Sequence, residues 1–539
     1  MAYQGNKVKI QFGEYGILTD ISPDKVPPGA LIRANNVAFS NGNVQKAPGT
    51  IKWNQTAVSA GIIGAHFFQP TLEQPRFIVA TSDGKLYKGR DRTFGTAITT
   101  ISATPLNPNC VFADGGAETA GRPRKLFFFT DGATLPYVMS GDGTAFTTIA
   151  HPATDWTGSA TYPKFGVVHR NQLWAFAGHM SYASDSGDHE NFSNVTTTLV
   201  EPVYPGEGGE LRAAYVYKGR LFAFKDGGFA YFLNDVSASQ SEWYWQKIAS
   251  NFGIASTNAI DEVLDDLIVG NTYGTLADFT SSQKLGGIEA ADVVQQLGFE
   301  SYLRGNTAKS GIPYQHLLYY PEKKQLFATT RSAYYTYNDA LIMIDFAQAN
   351  RARPALWKKG SPQCLALYKD INQVERPMYG DKDGYLHLMD AEDRVEGGPA
   401  SGGGNQSYTG EFQTPHYDFS FVDASLAATN KHFDFLSVHY VPESSGNLSC
   451  DYYIDGRYIE TLTFPMIQYD KPELGVFRLS TARLAQPNIE TVTRQLHGTG
   501  RTISFYFYNS GLNQSFQIPA ITVQFRGGGE KAQETGGAT

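Results

Sequence analysis

Seven stretches of this chain share one layout: an apolar or aromatic run, a short turn, and a second run. They are Phe77-IVATSDGKLYKG, Lys125-LFFFTDGATLPYVM, Gln172-LWAFAGHMSYAS, Arg220-LFAFKDGGFAYFL, Asp266-LIVGNTYGTLADF, Gln325-LFATTRSAYYTYNDALIMID and Pro377-MYGDKDGYLHLMD. Their first residues are 48, 47, 48, 46, 59 and 52 positions apart. Four nearly equal steps in succession mark a repeat architecture. Four of the turns carry Asp-Gly, at Asp83-Gly84, Asp131-Gly132, Asp226-Gly227 and Asp383-Gly384. Both residue types tolerate positive φ, so each pair predicts a tight hairpin. A four-stranded antiparallel unit takes about 40 to 50 residues, the size of a β-propeller blade. One such hairpin cannot bury both of its faces, whereas radial stacking of seven can. The competing arrangement is a long β-sandwich or two in series. The spacing favours a propeller of six or seven blades.

Composition points the same way. The chain has 31 Tyr, 34 Phe and 55 Gly in 539 residues, which suits aromatic strands punctuated by glycine turns. The fold class expected is all-β, a β-propeller with a C-terminal β-sandwich. The propeller is placed at 51–396. A Gly-rich linker follows at 397–410, containing Gly397-GPASGGG. The sandwich is placed at 411–527, where Phe433-DFLSVHYV, Leu448-SCDYYIDGRYIETLTF and Arg501-TISFYFYNSG alternate strongly and Asp455-Gly456 offers a further hairpin. Residues 528–539 read as a flexible tail. The opening segment, 1–50, falls outside the repeat and contains the turn-rich Pro23-DKVPPG and Ser40-NGN. It supplies either the strand that closes the propeller ring or an arm to a neighbour; the residues alone leave both open. Within the long fifth step, Ile288-EAADVVQQLGFESYLR has apolar residues near helical spacing and predicts one inserted helix.

Several function classes find no support. The net charge is −8 with a pI near 5.8, unlike a scaffold built to grip nucleic acid. A channel through which DNA slides is compatible with that charge, because each phosphate contact would add to binding. Met1–Ile10 lacks the apolar core of a signal peptide, and no run approaches the roughly 20 residues that cross a bilayer. Cys110, Cys364 and Cys450 are odd in number, far apart and without metal-ligand spacing, so they read as buried thiols of a protein made in a reducing compartment. No membrane insertion, cofactor or metal is expected.

Catalytic patterns are absent too. There is no G-x-S-x-G and no G-x-x-x-x-G-K-[ST]. Ser184-DSGDHENF is the nearest approach to the repeated box of sialidase-type propellers, but its Asp sits one position early, it lacks the Trp and no second copy exists. A glycosidase needs two carboxylates facing across a groove, and nothing local marks such a pair. Asp185, Asp188 and Glu190 crowd one loop that lacks EF-hand spacing and reads as solvated. Asp261-EVLDD reads as edge charge that discourages strand pairing. His66, His151, His169 and His179 lack partners at ligand spacing. Arg351-ARP with Lys358 and Lys359 is the densest basic patch, a solvated loop or a face toward a partner or DNA. Trp243, Tyr244 and Trp245 are candidates for an interface or for blade core. Catalytic, cofactor-binding and metal residues are therefore all read as none, and the chain as not an enzyme.

The opening, Phe12-GEYGILTDISPDKVPPGALIRANNVAFSNGNVQKAPGTI, resembles the start of many tail proteins of short-tailed bacteriophages, a tail nozzle or hub group associated with stabilising packaged DNA. The shared positions are Asp20, Pro23, Gly29, Asn35, Asn36, Val37, Gly42, Val44, Lys46, Pro48 and Gly49. The group's glycine pair is reduced here to Tyr15-Gly16. Leu86-YKG, Ala183-SDSGDHENF, Tyr452-YIDG and Thr499-GRTISFYFYN are similar to that group as well, in loose patterns over most of the chain. The resemblance implies a propeller with an attached β-sandwich, in a virion tail assembled in the bacterial host cytoplasm. It implies a homohexameric ring that meets the portal, its adaptor and other tail proteins. Double-stranded DNA would pass through without specific binding, held in and then released at genome ejection. The alternative is a receptor- or glycan-binding propeller at the tail tip.

Overall fold

The computed structural model describes residues 6–527 except 22–24, 41, 70–74, 91, 102–105, 116–123, 140–144, 152–154, 194–198, 238, 251–252, 273, 280–290, 293–296, 349–350, 370–372, 392–405, 443–444 and 468–488. The seven repeated segments are the central hairpins of seven blades. Blade 1 runs Ile62–Phe68, Arg76–Thr81, Lys85–Arg90 and Thr99–Thr100. Blade 2 follows with Val111–Gly115, Lys125–Phe129, Tyr137–Met139 and Phe146–Thr148. Blade 3 has Phe165–His169, Gln172–Ala177, Met180–Ala183 and Leu199–Pro202; blade 4 has Leu211–Tyr217, Arg220–Lys225, Phe229–Asn234 and Tyr244–Ser250. Blade 5 has Ile260–Val263, Asp266–Gly270, Leu276–Asp278 and Ala291–Asp292; blade 6 has Leu317–Tyr320, Gln325–Thr330, Ala340–Gln348 and Arg351–Trp357. In blade 7, Cys364–Lys369, Glu375–Gly380 and Leu386–Ala391 come from this end of the repeat, and the fourth strand is Gly49–Lys52 from the opening segment. Inner strands of successive blades touch, and Cys364–Lys369 returns to Ile62–Phe68, which closes the ring.

The second strand of each blade explains why the repeat is so visible. It is buried on both faces, so apolar residues run without a polar alternation. Along Leu126–Phe129, Leu126 and Phe128 pack toward blade 1 while Phe127 and Phe129 pack toward blade 3. In blade 3, Leu173, Ala175 and Ala177 face blade 2, and Trp174 and Phe176 face blade 4. The core is thus a set of wedges between neighbours, each closed by two side chains from one strand and two or three from the next. Outer strands such as Leu199–Pro202 are short and largely solvent-facing.

The Asp-Gly turns are not all alike. At Asp131-Gly132 both residues take positive φ, 55° and 79°, as they do at Asp455-Gly456 with 48° and 76°. At Asp83-Gly84 and Asp383-Gly384 only the glycine does so. There a side chain at the end of the preceding strand helps to close the turn: Thr81 Oγ1 donates to the Lys85 carbonyl at 3.0 Å, and Asp381 Oδ1 accepts from the amides of Asp383 and Tyr385.

The helix expected over 288–304 is much shorter. Ala291–Asp292 is the outer strand of blade 5, paired with Ala277 and Asp278, and the helix spans only Glu300–Asn306; residues 288–290 and 293–296 lie outside the described residues. Apolar spacing alone could not see that strand pairing would claim the first half.

The sandwich is an outgrowth of blade 6. Its first sheet continues that blade through Arg33–Asn35, Gly410–Gln413, Ile503–Asn509, Gly446–Ile454 and Arg457–Met466, giving nine strands in one sheet. Its second sheet orders Asn6–Gln11, Ala520–Gly527, Lys431–Tyr440 and Glu490–Gln495. Phe412, Phe419, Phe433, Phe507 and Phe525 are buried in its core, with Phe412 and Phe507 stacked at 4.9 Å. Of the linker read at 397–410, residues 397–405 lie outside the described residues. The remainder is not a spacer: Tyr408 is buried and its hydroxyl donates to the Ala47 carbonyl, and Gly410 opens a strand. Residues 528–539 lie outside the described residues.

Candidate functional site

The opening segment is where the chain concentrates its buried polar chemistry. It threads between blade 6 and the sandwich, and its strands pair over very long sequence distances: Asn6 with Phe525, Arg33 with Gln413, Gly49 with Ala391. Arg353 of blade 6 is almost wholly buried, donating to Asp345 at 2.9 Å and to the Gly13 carbonyl at 2.7 Å. Asn36, held at φ 50°, donates to the Thr409 carbonyl at 2.8 Å and accepts from the Lys358 amide at 2.6 Å. Trp357 Nε1 donates to the Val37 carbonyl at 2.6 Å. Lys46 is fully buried and donates to Asn509 at 3.1 Å; Lys359, also buried, donates to the Pro48 carbonyl and lies over the Trp357 ring. Glu411 joins Arg33 at 2.5 Å and accepts from Asn35 at 2.6 Å. At Gly16 an added Cβ would lie 2.5 Å from Pro354, so only glycine fits against blade 6 there.

Asp20 closes this seam at a distance. Its carboxylate accepts from the amides of Glu300 and Ser301 at 2.6 and 2.9 Å, capping the helix whose own N-terminal residue, Phe299, provides no cap. Partial burial opposes ionisation, but the bonds from Ser301 and Glu300 outweigh it and hold the carboxyl below its ordinary range. Ten of the eleven opening positions singled out in the sequence lie among the described residues, Pro23 being outside them. Asp20, Asn35, Asn36, Val37, Lys46 and Pro48 belong to this seam, and Gly49 opens the strand that closes blade 7.

The structure disperses the other candidates. The basic patch is not a solvated loop: Arg353 and Lys359 are inside the seam, and among its described side chains only that of Lys358 is exposed. Their partners, Asp345, Gly13 and Pro48, are too remote or too ordinary in sequence to have been foreseen. Asp261 is not an edge charge either. It lies on the inner strand of blade 5 and accepts from the Tyr319 amide at 2.6 Å and the Tyr215 hydroxyl at 3.3 Å, joining blades 4, 5 and 6. Burial pushes its carboxyl up to about 6. Asp185 is bonded to Asn191 at 3.0 Å and Glu190 pairs with Lys125 at 2.5 Å. Among the described residues, no three His, Cys, Asp or Glu side chains group as a metal site. His169 bonds to Asp235 at 2.7 Å and His151 stacks on Trp156. His66 lies 3.5 Å from Asp114, and His179 faces Lys225 at 3.4 Å. The three cysteines are buried and unpaired by disulfides, and burial raises their thiols well above the usual range. Trp245 is blade core, its indole donating to Ser181 at 2.8 Å; Trp243 is half-buried near Trp174; Tyr244 is exposed.

Among the recesses bordered by described residues, two bear on ligand binding. Inner strands wall one of about 400 Å³, where His66, Phe112, Leu318, Leu365 and Lys369 meet the half-buried His316. Burial lowers His316 to about 4, and its Nδ1 accepts from the Leu365 amide at 3.2 Å. That volume lies in the range of small-ligand clefts. The larger recess, about 740 Å³, lies between blades 6 and 7 on the face bearing their central turns. Tyr334, Tyr335, Tyr337 and Tyr385 line it together with Lys52 and Lys358.

No protein-family model matches the chain, and no curated protein matches it in sequence. Among solved structures it is similar to the WD40 β-propeller domain of Doa1, at 8% identity and a TM-score of 0.37 over 63% of this chain and 96% of that one. It is similar also to the N-terminal domain of Nup159, at 9% identity and 0.34 over 69% and 98%. An exo-β-1,3-galactanase from Phanerochaete chrysosporium matches at 10% identity and 0.27 over 89% and 99%. The propeller stands on its strand pairing, and nothing about activity passes from these likenesses to this chain.

Proposed function

We propose that this chain is a non-enzymatic structural component of a bacteriophage tail. Copies of it, six by this reading, associate around an axis as a nozzle or hub ring that extends the portal channel, retains packaged DNA and opens for ejection. The observation that carries the reading is the seam. Residues scattered from Asp20 to Gly49, by which the sequence resembles that tail group, are used to weld a sandwich to a propeller rather than to perform chemistry. A ring subunit under the load of packaged DNA gains from such a weld, because a flexible linker would let the two domains rotate independently.

A further feature supports it. The sandwich carries eight of the sixteen exposed large hydrophobic side chains among the described residues, including Phe421, Val422, Phe435 and Tyr458, although it spans only 411–527. Exposed apolar side chains in that number support contact with other proteins. Particles assembled without this chain test the role. Capsids that package DNA and then lose it are expected. Particles that retain and eject DNA normally would overturn the proposal.

A further inference from the structure

The recess between blades 6 and 7 has features that a purely architectural role leaves unused. Its outer wall is the loop joining the second and third strands of blade 6, where Tyr334 is 93% exposed and Tyr335 48% exposed. Large rings this far into water are unfavourable unless something covers them. Tyr335 and Tyr337 lie 5.0 Å apart and tilted by 35°, so their faces form a bent platform rather than a closed pair. Across the recess stands Tyr385 of blade 7, its ring 3.8 Å from the Lys52 ammonium. On the lining, His387 is almost fully buried, stacked on Tyr379 at 4.7 Å and bonded through Nε2 to Asp381 at 2.7 Å. Its Nδ1 has no hydrogen-bond partner among the described residues.

The charges of the recess are unevenly satisfied. Asp339 accepts from the Ser332 amide at 2.6 Å and hydroxyl at 2.7 Å. Asp381 is held by His387 and two backbone amides, and Asp383 by Lys382 at 2.7 Å. Each carboxylate therefore has its partner. The cations divide: Arg304 pairs with Glu300 and Lys382 with Asp383, whereas among the described residues Lys52 lies over the Tyr385 ring and Lys358 donates to the neutral Asn306 amide at 2.6 Å. Burial holds the Lys358 ammonium below its ordinary range, Arg33 adds to that, and the Glu411 and Asp339 carboxylates act against it.

From this geometry we infer that the cleft between blades 6 and 7 binds an anionic saccharide, one carrying carboxylate or phosphate groups. Tyrosine rings offer flat faces to the apolar side of a pyranose and hydroxyls to its rim, with little rotamer entropy to lose. Lys52 and Lys358 supply the counter-charge. A volume of about 740 Å³ falls within the range of small-ligand clefts and excludes a folded domain. A peptide is the less suitable occupant, since the platform lacks a continuous apolar groove.

The purified full-length chain tests this without reference to ring assembly, so its failure leaves the tail-ring reading untouched. The probes are an array of bacterial-surface oligosaccharides bearing uronate or phosphate, their neutral counterparts of equal length, and a glutamate-rich tetrapeptide. Selective retention of anionic saccharides is expected. It should weaken about tenfold or more in Tyr334→Ala/Tyr335→Ala and in Lys358→Glu, with far-UV circular dichroism and melting unchanged because these residues are exposed. Phosphate-only or uronate-only retention would support the inference and identify which anion is read. Absence of any saccharide binding, equal retention of neutral sugars or the tetrapeptide, or unaltered binding by both variants would overturn the inference.

Discussion

Blades 1 to 5 and the seam around blade 6 solve the same problem, burial of strand faces, by opposite means. In the four wedges between blades 1 and 5 the core comes from neighbouring hairpins, and packing partners lie within about one repeat. At the seam, partners lie hundreds of positions apart, and the contacts are hydrogen bonds and ion pairs as often as apolar packing: Arg353 with Gly13, Lys46 with Asn509, Glu411 with Arg33. The lesson is about damage. A lesion in one wedge weakens one boundary between blades, whereas a lesion in the seam separates two domains and opens the ring.

Removing residues 1–52 should break the comparison most severely. It deletes the outer strand of blade 7 and the strand that carries blade 6 into the sandwich. Loss of cooperative unfolding and of soluble expression is the expected outcome, measured by yield and thermal melting. Next comes Arg353→Met, which leaves the buried Asp345 with the Ala347 amide and Gln325 but without its cation. A cost of about 3–5 kcal/mol is expected in urea unfolding. Arg353→Met combined with Asp345→Leu should recover most of it, because the cost lies in the orphaned charge. A recovery of nothing would assign the loss to packing instead.

Within the wheel the expected effects are smaller. Gly132→Ala forces a side chain onto φ 79° and should cost about 1–2 kcal/mol, confined to the blade 2 turn, with sandwich amides unchanged in hydrogen exchange. The mildest test is at Asp261. Its folded carboxyl titrates near 6 against 3.8 unfolded, so the folded state binds the extra proton between those values. The stabilisation is complete below pH 3.8 and is lost as pH rises through 6. Asp261→Asn should therefore flatten the change in urea midpoint between about pH 4 and pH 7 relative to the parent chain. An unchanged slope would show that other groups govern this window.

These contrasts also explain what could be read from residues alone. Phe77–Ala80 and Leu126–Phe129 announce themselves because both faces are buried and the run is uninterrupted. Thr99–Thr100 and Ala291–Asp292 do not, since two residues on an outer edge carry no pattern. The opening segment was legible as either a ring-closing strand or an arm to a neighbour, and Gly49–Lys52 is the former; its register beside Ala391 was not legible, because nothing local specifies a partner so far along the chain. Arg351–Lys359 looks like a surface patch for the same reason: the carbonyls of Gly13 and Pro48 that receive its cations have no sequence signature. The Tyr334–Tyr335 pair sat in plain view within the sixth repeat, yet only the adjacent turn of blade 7 makes a cleft of it.

The most direct test of the weld is amide hydrogen exchange on the intact chain, resolved by peptide. Arg33–Asn35 and Gly49–Lys52 should exchange as slowly as the second strands of blades 2 and 3, since opening them requires parting blade 6 from the sandwich and blade 7 from its outer strand. Exchange there as fast as at the short outer strand Thr99–Thr100 would contradict the weld and leave the sandwich hanging from the propeller by a loose arm.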